Sequence, residues 1–237
     1  MLFMFANYLK AIKNLFFPRL CLCCEKKISK GYLCLECESK ITFLSQPRCH
    51  HCLMPLSTNS SCLCQECLKK NYPYQRLISA TAYKEPLTSL IHLFKYRNYD
   101  YLANFLSSLM IKHLSKIDFN PNKYKLITSV PLHKDKLKTR GYNQSQLLSK
   151  LLSNHFKIPS KDDIIENTNI RPSQTKLPKE QRKKNTEGIF VVKKNLKNKN
   201  IILVDDIFTT GSTVSACARA LREKQAGNIT IITLSKT

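Results

Sequence analysis

The sequence predicts an α/β fold: a mostly parallel sheet flanked by helices, with a small cysteine-rich region in front of it. Three observations carry this prediction. Strand-like and helix-like runs alternate from residue 75 to residue 237, the pattern of strands joined by crossover helices. Residues 201–204, Ile-Ile-Leu-Val, form an apolar run without alternation, as expected of a strand covered on both faces. Ten of the 11 cysteines lie between Cys21 and Cys67, which sets that stretch apart from the rest.

Taken in order, residues 1–20 read as an amphipathic helix, because Phe5, Tyr8, Leu9, Ile12, Leu15 and Phe16 follow helical spacing. The stretch lacks a small-residue cleavage site, and Lys10, Lys13 and Arg19 interrupt its apolar run, so it reads neither as a signal peptide nor as a membrane span. A helix packed on protein is the expectation, and contact with a membrane surface is the alternative. The location expected is cytoplasmic, with peripheral attachment at the inner face of the membrane as the variant. Residues 21–72 form the cysteine region and residues 75–237 the α/β domain. Within the latter, strands are expected at 76–83, 125–130, 188–192, 201–205 and 228–234, and helices at 86–97, 100–116, 143–155 and 212–225.

Composition narrows the class of partner. The chain is 43% hydrophobic, enough for a real core, and its formal charge is +23 from 39 Lys and Arg against 16 Asp and Glu. Such an excess favours anionic partners, whether nucleic acid, anionic lipid or phosphorylated small molecules. It does not choose among them, and a general bias towards Lys would produce the same count.

The cysteines fall into two sets. Cys21, Cys24, Cys34 and Cys37 read C-x2-C-x9-C-x2-C, and Cys49, Cys52, Cys64 and Cys67 read C-x2-C-x11-C-x2-C. Two thiolates from one tight turn chelate a metal, and a second turn completes a tetrahedron, which is the spacing of a double zinc ribbon. In a reducing environment clustered cysteines are ligands rather than disulfides. About 50 residues make no core of their own, so structural zinc at one or both sites would supply folding energy, roughly 10–16 kcal/mol per site. Cys23, Cys62 and Cys217 are left over. Cys62 competes with Cys64, and His51 with a cysteine, for the second site; an Fe–S cluster is a further alternative.

The stretch 201–213, IILVDDIFTTGST, concentrates the chemistry. Chain emerging from a parallel strand passes where ligands bind in open α/β sheets. Thr209, Thr210, Gly211, Ser212 and Thr213 then lead into a helix N-terminus, where backbone N–H groups and the helix dipole cradle an anion. Asp205 and Asp206 would repel that anion unless they face a hydroxyl-rich part of the same ligand. A ribose 5-phosphate satisfies both demands, with its phosphate in the loop and its 2′- and 3′-hydroxyls on the acids. The reading requires room for an anion at the loop and acids not locked into internal ion pairs. No G-K-[ST] follows, so this is not a Walker loop, and G-x-G-x-x-G is absent.

The stretch VDDIFTTGST resembles the ribose-phosphate motif of type I phosphoribosyltransferases, enzymes that use phosphoribosyl pyrophosphate (PRPP). The rest of the chain is similar to the ComF family, whose members join an N-terminal zinc ribbon to a phosphoribosyltransferase-like domain. The similarity runs through LIHLFKYRN with Lys95 and Arg97, then SVPLHKDKLKTRGYNQSQLL, then RPSQTKLPKEQRKKNTEGIFVV. The resemblance implies that residues 131–142 form a pyrophosphate loop, with Lys134, Lys136, Lys138 and Arg140 as cations and Gly141 at the turn. It implies a flap at 171–186 carrying Arg171, Gln174, Arg182 and Asn185; Pro172 and the missing threonine of RPSQ depart from the family pattern there. It also implies PRPP held with Mg²⁺, displacement at ribose C1′ if the protein is an enzyme, and a role in DNA uptake with competence-machinery proteins. Zinc ribbons and basic residues are compatible with single-stranded DNA contact. Tyr96, Tyr99 and Tyr101 are candidate stacking residues, with packing as the plainer reading. No segment names an acceptor nucleobase, so a PRPP-binding competence protein, an active transferase acting on a nucleobase or amine, and a non-catalytic DNA- or partner-binding adaptor all stay open.

Overall fold

The computed structural model describes residues 18–57, 61–168 and 189–237. Most of the expected N-terminal helix and the whole 171–186 flap, with Arg171, Gln174, Arg182 and Asn185, lie outside the described residues.

Among the described residues four strands make the main sheet: β1 (Arg76–Ala82), β2 (Leu126–Ser129), β5 (Ile201–Phe208) and β6 (Ile229–Lys236). Their order is β1-β6-β5-β2, and every pair is parallel. The apolar run of β5 sits in the middle because both its faces are covered. Ile202 and Val204 join Ile78, Ile127 and Ile232 in one core layer, built against α3 (Leu87–Tyr96), α4 (Leu102–Leu114) and α6 (Gln144–Phe156). Ile201 and Leu203 join Leu77, Leu126 and Ile231 in the opposite layer, against α7 (Ser212–Glu223). The period-two alternation thus sorts successive residues between two dry layers.

Three details differ from the expected elements. First, β5 continues beyond Asp205, because its pairing with β6 persists through Asp205↔Thr233, Ile207↔Ser235 and Phe208↔Lys236. Asp205, expected as the last residue of the strand, and Asp206, expected just past it, therefore both lie within it. Second, the 131–142 segment is mostly helical: α5 (Lys134–Arg140) starts where the His133 side chain accepts the Asp135 N–H and ends at Gly141, φ +75°. A His N-cap and a left-handed glycine turned a presumed loop into two turns of helix. Third, the strand expected at 188–192 is short, β4 (Phe190–Val192), and pairs antiparallel with β3 (Ile165–Asn167) outside the main sheet.

The cysteine region carries two short helices, α1 (Leu35–Ser39) and α2 (Gln65–Leu68). It packs on the sheet rather than standing away from it. Residues 42–44 run along the free edge of β1, where Leu44 N–H donates to Ala80 O at 3.0 Å and Ala82 N–H to Thr42 O at 2.9 Å. Farther along, Leu77 N–H donates to His50 O. An edge strand that would otherwise expose unpaired backbone is thereby covered. Tyr32 stacks on Tyr101 at 5.6 Å and meets the Phe105 edge at 5.9 Å, tying the first cysteine set to α4. No helix among the described residues is long and apolar enough to cross a membrane.

Candidate functional site

Each cysteine set closes into a tetrad. The Sγ atoms of Cys21, Cys24, Cys34 and Cys37 lie within 4.8 Å of one another, as do those of Cys49, Cys52, Cys64 and Cys67. Zn–S bonds of about 2.3 Å in a tetrahedron put the sulfurs about 3.8 Å apart. Cys24 and Cys34 are 3.6 Å apart and Cys52 and Cys64 3.7 Å, so both tetrads fit structural zinc. Cys23 and Cys62 are exposed and outside the tetrads, and His51 is not a member either. Electrostatics agree. Burial opposes ionisation of Cys21 and Cys49, yet nearby backbone N–H groups bring Cys21 down to about 6 and Cys49 to about 7. Burial and neighbouring thiols push Cys37 well up. One thiol of each set is thus eased towards the thiolate while neighbours such as Cys37 and Cys52 keep their protons, and a bound divalent cation would let all four ionise.

A second site opens at the C-terminal ends of β2 and β5, where a cavity of about 710 Å³ lies. Its position follows from strand ends and helix starts. Val130 continues β2 by donating to Val204 O at 2.9 Å. Asn143 caps α6, accepting the Ser145 N–H at 3.1 Å and donating to Val130 O at 3.0 Å. That cap holds the start of α6 over β5, and Ser145 Oγ donates to Asp205 Oδ1 at 2.8 Å. The same Oδ1 accepts the Asp206 N–H at 2.9 Å.

Asp206 has different neighbours. Its Oδ1 accepts the Ile207 N–H at 2.7 Å, and its Oδ2 lies 2.7 Å from Lys95 Nζ. Both side chains are largely buried, 11% and 17% exposed. Asp206 is therefore not free of an internal ion pair, as the ribose reading had required; Asp205 forms none among the described residues. Burial, then the Asp206 charge, push the Asp205 carboxyl up to about 7, against the Ser145 hydroxyl, the Asp206 N–H and Lys95.

The 209–213 loop faces outward. Thr209, Thr210, Ser212 and Thr213 are exposed. Gly211 caps α7 at φ +77°, and a Cβ there would lie 2.7 Å from the Phe208 ring. Both the backbone conformation and the space exclude a larger residue. Thr210 Oγ1 takes the Ser212 N–H at 3.4 Å, which turns the loop into the helix.

Of the residues picked from sequence, Asp205, Asp206, Thr209, Thr213, Lys136 and Arg140 line the large cavity, with Lys95. Gly211 and Ser212 line a small adjoining one, which shares Asp205, Thr209 and Thr213. Lys134, Lys138, Thr210 and Gly141 line neither. Arg140 is anchored, with its guanidinium 4.8 Å over the Tyr96 ring and Nη1 donating to Gln144 Oε1 at 3.1 Å. Tyr99 and Tyr101 pack together at 5.1 Å, while Tyr96 stays 58% exposed. Sequence reasoning did not single out Ser145 or His133 as cavity residues. The signal for Ser145 was present in RGYNQSQ, where Asn followed by a helical run marks an N-cap and so places the next polar residues at a helix start.

Comparison with known proteins agrees along the chain. The family described as "Double zinc ribbon domain" matches residues 12–68, and the one described as "Phosphoribosyl transferase domain" matches residues 144–236. The competence protein F of Haemophilus influenzae is 32% identical over 217 residues, covering 88% of this chain and 93% of that one. The DNA utilization protein YhgH of Shigella flexneri is 30% identical over 224 residues, covering 93% and 98%. The competence protein ComFC of Bacillus subtilis is 28% identical over 239 residues, covering 92% and 95%. A phosphoribosyltransferase-like α/β sheet behind two cysteine tetrads, aligned almost end to end with these relatives, places the chain in the ComF family.

Proposed function

We propose that this protein is a competence protein that binds PRPP with magnesium in the cavity above β2 and β5 and takes part in DNA uptake during natural transformation. The observation that carries the ligand is the convergence, on one cavity and the small one adjoining it, of an outward-facing Thr/Ser/Gly turn at a helix N-terminus, an acidic pair and several cations. The turn takes the 5-phosphate on the N–H groups and hydroxyls of Thr209, Thr210, Gly211, Ser212 and Thr213. Asp205, with Oδ2 unpartnered among the described residues, is the principal acceptor of a ribose hydroxyl; Asp206, although ion-paired with Lys95, offers the second only through the lone pairs that its contacts to Ile207 N–H and Lys95 leave. Lys136 and Arg140 face the pyrophosphate, where they stabilise negative charge that grows on a leaving group. The acids steady positive charge developing on the ring as the bond at C1′ lengthens. Magnesium supplies further charge neutralisation on the pyrophosphate when bound. Lys134, Gly141 and the flap's Arg182 complete the proposed PRPP set.

The role in DNA uptake rests on the relatives, two named for competence and one for DNA utilization. Single-stranded DNA is the proposed macromolecular partner, supported by the +23 charge and by Tyr96 beside Arg140. The proposed location is cytoplasmic, where competence-machinery proteins would be met.

Calorimetric titration of the zinc-loaded protein with PRPP and Mg²⁺ tests the site. Replacing both acids (Asp205→Asn with Asp206→Asn) removes two charge-assisted contacts of about 1.5–3 kcal/mol each, so affinity should fall at least about a hundred-fold. Equal binding by the double variant would reject the ribose assignment. Pyrophosphate release on adding nucleobases or DNA then tells a transferase from a PRPP-responsive adaptor.

A further inference from the structure

Two adjacent carboxylates, that of Asp206 largely buried, need a cation or a proton to relieve their repulsion. In many sites of this composition the cation is a divalent metal. Here three of the four oxygens are engaged otherwise, and only Asp205 Oδ2 has no partner among the described residues. Asp206 Oδ1 accepts the Ile207 N–H, Asp206 Oδ2 holds Lys95, and Asp205 Oδ1 takes both the Ser145 hydroxyl and the Asp206 N–H. Magnesium demands near-octahedral oxygen ligands at about 2.0–2.1 Å. Magnesium is commonly held by one or two carboxylates completed by waters and ligand phosphates, so the missing third protein ligand does not decide the matter; the ammonium of Lys95, 2.7 Å from Asp206 Oδ2, does, because it stands where such an ion would bind that carboxylate.

Lys95 is also not a casual neighbour. It lies in the last turn of α3, where the helix dipole favours a cation. The preceding residue, Phe94, is fully buried, and its carbonyl accepts from both Tyr142 Oη and Gln144 Nε2. Those two donors stand at the α5–α6 corner, the other wall of the cavity. The ammonium is thus delivered to Asp206 by a clamped helix end rather than by a free surface chain.

We propose that Lys95 is the resident cation of the acidic pair, standing where a divalent metal would, so that Asp205 and Asp206 receive a ribose diol without coordinating metal. Magnesium then enters on the diphosphate of the ligand and not on the protein's carboxylates. Lys95 is a positioning residue: it holds the charge and orientation of Asp206. The ligand arm of this inference rests on the ribose-phosphate reading above; the metal arm does not.

Manganese serves as the probe, as a paramagnetic substitute for magnesium, added to the zinc-loaded full chain and read by electron paramagnetic resonance. The parent should show no Mn²⁺ site that Asp206→Asn removes. Lys95→Met should gain such a site, Lys95→Arg should not, and Lys95→Met with Asp206→Asn should lose it again. Titration with ribose 5-phosphate, which lacks the diphosphate, supplies the second reading. Parent affinity should be unchanged between magnesium-free and magnesium buffers, whereas Lys95→Met should bind at least about ten-fold more weakly without magnesium and recover part of that with it. A parent Mn²⁺ site abolished by Asp206→Asn would overturn the proposal whether or not Lys95→Met folds, as would a Lys95→Met protein that gains no Mn²⁺ site. A parent that behaves as expected with Mn²⁺ yet binds no sugar phosphate would reject the PRPP reading and leave the role of Lys95 standing.

Discussion

Asp205 and Asp206 are neighbours in sequence but have different surroundings. Asp206 carries its counter-charge in Lys95, whereas Asp205 has a serine hydroxyl and a backbone N–H. Burial and the adjacent charge lift Asp205 to about 7, above the roughly 3.9 of an aspartate in an unfolded chain. A raised carboxyl pKa means that the folded protein holds the proton more tightly. The stabilisation is therefore present at acid pH and is lost as pH rises from about 4 through about 7. Asp205→Asn removes the titration. The melting temperature of the variant should gain on the parent's between pH 5.5 and pH 8 in scanning calorimetry of ligand-free, zinc-loaded protein; parallel pH profiles would show that Asp205 ionises freely in the fold.

At the scale of elements, the decisive piece is the turn from β5 into α7. Gly211 sits at φ +77° with the Phe208 ring beneath it. Gly211→Ala adds a strained backbone angle and a contact at 2.7 Å with a ring that is itself buried, so it should cost about 1–3 kcal/mol of stability. Urea unfolding should show a lowered midpoint with unchanged slope; an unmoved midpoint would mean that the turn rearranges freely. Much of this element was legible. Four apolar residues and a Thr-Thr-Gly-Ser-Thr run state that a strand turns into a helix and where the helix begins, because apolar pattern and glycine act locally; the strand end, expected at 205, lies at Phe208, since pairing with β6 and not the local sequence sets it. The helix α5 was not legible. Its segment, HKDKLKTRG, is almost wholly polar, so no apolar periodicity marked it, and only the cap at His133 and the glycine at its end betray it.

For the whole molecule, the zinc tetrads and the sheet are mechanically joined. Residues 42–44 and His50 cover the outer edge of β1, and Tyr32 stacks on α4. Zinc binding energy is folding energy for the cysteine region, so removing the metal should expose that edge. Chelation should lower the melting temperature of the entire chain. In hydrogen exchange, the amides of Leu77 and Ala82, which donate to His50 and Thr42, should lose protection, while amides of the central β5 keep theirs. Equal protection before and after chelation would show that the edge pairing survives without zinc.

By itself the sequence determined the two cysteine sets, the α/β class, the positions of the main helices and the candidate ligand turn. All of these are written in short-range spacing: C-x2-C turns, helical and strand periods, a glycine at a turn. Only the tertiary structure decided which cysteines close each tetrad, that the ribbon covers the β1 edge, that the acids lie inside β5, and that Lys95 meets Asp206. Lys95 and Asp206 are 111 positions apart, and no local pattern encodes a contact made by two elements packing on a third. The charge on the candidate site is a property of that packing, because burial and a distant ammonium, not the aspartates alone, set what the pair can hold.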